Sequence, residues 1–107
     1  MGIERREYPR FEKTFRVIIH HPFSERNLKT IDVSIAGAAV CYSQKYYHKD
    51  QRITIELLLS EDDSIRCDAD VKWVSPNSVD AELYRVGIEF IGMLESDKEK
   101  LRRAIES

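Results

Sequence analysis

No apolar run in this chain approaches the ~18 residues that a membrane-spanning helix needs, and its charged amino end lacks the hydrophobic core of a secretory signal. A protein without a membrane span, resident in the cytoplasm, is the expectation. Basic residues are not in excess: 17 Lys and Arg face 19 Asp and Glu, for a formal net charge of −2. That balance argues against a dedicated duplex nucleic-acid binder, and no nucleic-acid polymer is expected as a partner. Cysteine is scarce, with only Cys41 and Cys67 present, which fits a reducing compartment better than a disulfide framework. His20, His21 and His48 add zinc-compatible atoms, but none stands at the paired spacing of a zinc site, so no metal is expected. There is also no Gly-rich phosphate loop, no GxSxG elbow and no carboxylate pair beside a plausible nucleophile. The chain reads as a binding protein, not an enzyme.

What is present is mostly β-strand. At 107 residues the chain can bury one core without disulfides or metals. Phe15, Val17 and Ile19 alternate with Arg16 and His20, and residues 21–27 break the pattern. Leu28 to Ile35 and Gly37 to Tyr42 follow as strands. Ile53, Ile55, Leu57 and Leu59 form the next, and residues 60–64 have the composition of a hairpin turn. Ile65, Cys67, Ala69, Val71 and Trp73 then share one face, and Tyr84, Val86, Ile88 and Phe90 another. Trp73, Tyr84 and Phe90 are therefore expected in the core, whereas Tyr8, Tyr46 and Tyr47 read as freer tyrosines. At the end the period changes. Ser96 to Glu99 has the form of a capping box, and Leu101, Ala104 and Ile105 make a narrow apolar stripe with Glu99 and Arg103 spaced as an ion pair. So short a helix cannot stand alone in water and should dock on the sheet or on another copy. Short antiparallel strands with regular turns predict a mainly β protein, a six-stranded antiparallel β-barrel with a short C-terminal helix. The boundaries expected within a single domain over 1–107 are a flexible arm at 1–12, the barrel at 13–91 and the helix at 96–106.

Two stretches carry the ligand chemistry. Arg5, Arg6 and Arg10 gather three planar guanidinium forks suited to phosphate oxygens or to the O6/N7 edge of guanine. Glu4, Glu7 and Glu12 lie among them, which favours placed hydrogen bonds over bulk attraction. Asp32 and Ser34, two apart in an extended segment, would project from one face opposite Ile31, Val33 and Ile35. A carboxylate accepts from guanine N1–H and N2–H, a hydroxyl both donates and accepts, and Gly37 permits a tight turn or a close backbone approach to a ligand. Each stretch also has a plainer reading. Lone arginines are mostly solvated surface, and Asp32 and Ser34 alone could be turn formers bonded to nearby backbone.

Taken together, Arg6-x-x-x-Arg10 and Asp32-x-Ser34-x-x-Gly37 resemble the RxxxR and [DN]xSxxG elements of the PilZ domain family, bacterial receptors for cyclic di-GMP. Trp73 and the run Gly87 to Phe90 are similar to the family's final strands, so the resemblance covers nearly the whole chain. It implies a barrel, and a receptor that binds cyclic di-GMP through Arg5, Arg6, Arg10, Asp32, Ser34 and Gly37. It also implies a change of shape on binding and a signal passed to an unidentified downstream protein. Arg5, directly before the RxxxR element, implies two stacked ligand molecules per protomer. The alternatives are a ligand-independent interaction module on the same fold and a barrel for single-stranded nucleic acid, which the acidic balance disfavours.

Overall fold

The structure, a computed structural model, describes residues 9–77 and 82–107. Six strands run in chain order: β1 (Arg16–His21), β2 (Glu25–Val33), β3 (Gly37–Ser43), β4 (Arg52–Ser60), β5 (Asp63–Pro76) and β6 (Tyr84–Ile91), followed by the helix α1 (Glu95–Glu106). All pair antiparallel and close into a barrel in the order β1-β2-β3-β6-β5-β4, with β4 returning to β1. This is the expected mainly β architecture.

The alternation seen in the sequence fills the barrel. Val17, Ile53, Ile55, Leu57, Ala69 and Val71 are wholly covered, as are Val33, Tyr47 and Leu101. Each large aliphatic side chain so buried contributes roughly 1.5–3 kcal/mol relative to exposure. No helix among the described residues is long and apolar enough to cross a membrane.

Three expectations are corrected. β2 begins at Glu25, inside the stretch expected to break the pattern, because the Glu25 carboxylate is the polar anchor of one barrel end. It accepts hydrogen bonds from Ser43 Oγ at 3.0 Å, Gln44 N at 2.7 Å and Tyr47 Oη at 2.9 Å. Tyr47, expected to be free in a loop, is fully buried in the core cluster, with its hydroxyl satisfied by that contact. Burial and the bond to Glu25 push its hydroxyl far above the usual tyrosine range. The helix, finally, starts one residue early. Leu94 occupies the cap position with no side-chain hydrogen bond, so the Ser96 capping box does not form.

The helix docks on its own barrel, where Leu101 and Ile105 are buried and Ala104 packs against the same cluster. Lys100 ties it down through Asp63 at 2.6 Å and the Ser64 carbonyl at 3.1 Å. The expected Glu99–Arg103 pair is present at 3.8 Å.

Candidate functional site

The site is built where the arm meets the end of β2. Pro9 precedes Arg10, and Phe11 forms an isolated antiparallel bridge with Val33: Phe11 N donates to the Val33 carbonyl at 3.0 Å and Val33 N to the Phe11 carbonyl at 2.9 Å. Thr30 reinforces this junction from a buried position. Its hydroxyl donates to the Lys13 carbonyl at 2.6 Å and accepts from Phe15 N at 2.8 Å. The chain is thereby held with Arg10 over the outer face of β2, where Arg10 Nη1 donates to Asp32 Oδ1 at 2.8 Å. Both side chains are 28% exposed, so the pair is partly shielded from water. Arg5 and Arg6 lie outside the described residues.

Asp32 faces outward because β2 carries a bulge between Thr30 and Asp32, where two residues of β2 answer one step of β3. Ser34 does not share that face. The strand ends at Val33, and the buried Ser34 hydroxyl turns back to accept hydrogen bonds from Ala36 N at 3.1 Å and Gly37 N at 3.2 Å. It is the turn former that its residue type also allows. Gly37 permits a close backbone approach, but in this structure the approach is to β6: a Cβ there would collide with the Ile88 carbonyl. Of the four described candidates, Arg10 and Asp32 are brought into direct contact. Ser34 and Gly37 set the turn beside them.

The residues that complete the site are ones the sequence reading placed elsewhere. Asp32 is in register with Ala39 of β3, Ala39 with Gly87 of β6, and Gly87 with Trp73 of β5. These four stand in one row across four strands on the outside of the barrel. Trp73 was expected in the core and is instead 44% exposed. The cause is a second bulge, between Val71 and Trp73. Val71 remains inside, while Lys72 and Trp73 are both exposed. The indole lies directly over Gly87, whose absent side chain would occupy the same space as Nε1 and Cε2. In sequence, the one usable sign was a lone tryptophan paired with a lone glycine on adjacent strands.

Together these residues line a cleft of about 190 Å³, bounded by Arg10, Asp32, Gly37, Ala39, Trp73 and Glu89. Its floor is small or flat, and one wall is the Arg10–Asp32 pair. Lys72 at the rim is paired with Glu89 at 3.3 Å. Such a cleft offers an aromatic face for stacking, a forked donor and a carboxylate acceptor side by side. It suits a flat, hydrogen-bonding ring with a nearby anion.

The PilZ domain family model matches residues 4–107 of this chain. No curated protein matches the sequence. Among solved structures, the Bacillus subtilis inhibitor of motility MotI/DgrA superposes with a TM-score of 0.82 at 20% identity, over 97% of this chain and 51% of that one. YcgR of Escherichia coli, in complex with c-di-GMP, gives 0.77 at 18% identity over 95% and 45%. The K. pneumonia MrkH–c-di-GMP complex gives 0.76 at 25% identity over 97% and 50%. The chain spans about half the length of these proteins.

Proposed function

This chain belongs to the PilZ domain family, and from that premise we propose that it is a cytoplasmic receptor for cyclic di-GMP that changes conformation on binding and signals to a separate protein. The observation that carries the reading is the Arg10–Asp32 pair beside the Trp73 floor, with both motif positions meeting at one cleft. Arg10 presents two parallel donors to guanine O6/N7 or to a phosphate, and Asp32 accepts from guanine N1–H and N2–H. A purine set between them stacks on the Trp73 indole, an interaction worth about 1–3 kcal/mol per base in nucleic-acid sites. The activity proposed is binding alone, without catalysis.

In the structure Arg10 and Asp32 satisfy one another. Ligand entry exchanges that internal pair for two external ones, and this exchange is the proposed trigger for arm movement. The cleft, at about 190 Å³, is smaller than the roughly 300–1,000 Å³ typical of a pocket for a whole small ligand. It accommodates one base. In this reading Arg5 and Arg6 close over the phosphates and the second base, and Arg5 supports a stacked pair of ligands. Ser34 and Gly37 act through the turn they fix.

Isothermal titration with cyclic di-GMP tests the proposal, with Arg6→Ala/Arg10→Ala as the control. Saturable binding that the control lacks, at two ligands per protomer, is the expected result. Saturation at one ligand refutes the stacked pair. Absence of binding by the wild type refutes the receptor and leaves the ligand-independent interaction module.

A further inference from the structure

Gly87 occupies an ordinary strand position: among the described glycines only Gly92 has a positive φ. A left-handed backbone therefore does not require glycine at 87, and space does. A Cβ on Gly87 would fall on the pyrrole edge of the Trp73 indole, overlapping Nε1 and Cε2 and lying 2.7 Å from Cδ1. Trp73 cannot yield inward, because Val71 and the buried face of β5 fill that side. The ring can only lift, and what lies above it is the cleft bounded by Arg10, Asp32 and Glu89.

We propose that Gly87 is a positioning residue, whose missing side chain lays the chain's only tryptophan flat across the cleft floor as the surface on which a guanine stacks. The inference rests on the cyclic di-GMP reading for the identity of the base, but the placement of the ring does not. Any side chain at position 87 both removes the stacking face and obstructs the cleft. Glycine at 87 and tryptophan at 73 thus work as one unit.

The protein contains one tryptophan, so its fluorescence reports this ring and no other. In ligand-free Gly87→Ala, acrylamide should quench Trp73 more readily than in the wild type, because the indole leaves the wall. Cyclic di-GMP affinity, by titration, should fall about tenfold or more, the equivalent of losing one base stack. The deciding measurement is non-additivity. With the indole removed, the three atoms nearest the added methyl are gone, all of them within 2.7 Å, so Gly87→Ala in a Trp73→Ala background should cost little or no further affinity or thermal stability. Unchanged quenching in folded Gly87→Ala overturns the proposal. So does an undiminished effect of Gly87→Ala in the Trp73→Ala background. If Gly87→Ala alone fails to fold, recovery of the fold in the double variant supports the collision and failure to recover overturns it. Should the wild type not bind cyclic di-GMP, the receptor reading fails while quenching and stability still decide the role of Gly87.

Discussion

The exchange proposed for Arg10 and Asp32 makes a prediction with a definite sign. The pair is 2.8 Å apart with each side chain 28% exposed. That places it between exposed pairs, worth about 0–1 kcal/mol, and buried pairs, whose disruption costs about 3–5, so about 1 kcal/mol is a fair magnitude. Consider Arg10→Ala, Asp32→Ala and the double variant. In unfolding by urea, each single change loses the same pair, so the double variant should be more stable than the summed losses imply, by about 1 kcal/mol. Ligand binding should show the opposite. Each single variant forfeits one contact to the ligand but is spared the breaking of the pair, whereas that relief counts only once in the double variant. The double variant should therefore bind more weakly than the two losses added, by about 1 kcal/mol, or about fivefold. Titration calorimetry and urea melts on four proteins measure both couplings. A binding coupling of zero would mean the pair survives in the complex, and the exchange mechanism would be wrong.

Thr30→Val keeps the shape but leaves the Phe15 N–H and the Lys13 carbonyl without their buried partner; a loss of about 1–3 kcal/mol in urea unfolding is expected. Leu101→Ala removes the centre of the helix stripe from a fully buried position, and stability should fall by about 2–5 kcal/mol. A loss well below that range would show that the helix contributes little to the fold. The Glu56 carboxyl is held below its ordinary value of 4.5, chiefly by its hydrogen bond with His20 and by a further one from Ser64. Its contribution is complete above that ordinary value and is lost as pH falls through the lowered one. Glu56→Gln should accordingly flatten the acid limb of the stability profile, as read by thermal melts across pH, and an unchanged limb would assign it to other carboxyls.

Much of the barrel was legible because a half-buried strand writes its two faces into alternate residues. β4 and Val86, Ile88 and Phe90 of β6 follow that rule closely, as does the helix stripe of Leu101, Ala104 and Ile105, whereas Tyr84, expected in the core, is only half-buried and meets exposed Tyr46 edge-on. The rule fails where a strand slips by one residue. Trp73 was counted with Ile65 and Val71, but the bulge ahead of it changes its face, and nothing local in the sequence marks a bulge. Ser34 failed for a related reason, since a two-residue spacing implies a shared face only while the strand continues. Tyr47 looked like a loop residue because its partner, Glu25, lies 22 positions away. At the site, the residue types were readable and their pairing was not: Arg10 against Asp32 depends on the backbone bridge at Phe11, which leaves no side-chain signature.

That bridge also acts as a mooring point. The two hydrogen bonds between Phe11 and Val33 anchor the chain one residue after Arg10. A peptide segment spans at most about 3.6 Å per residue, so the reach of Arg10 is set by the single residue step that separates it from the bridge. Moored so close, the Arg10 guanidinium stays beside Asp32 and meets anything in the cleft as an intramolecular partner, at an effective concentration of about the millimolar level or more, whatever the protein's abundance. The strength of its contact then depends on the length of that leash as much as on the donor at its end.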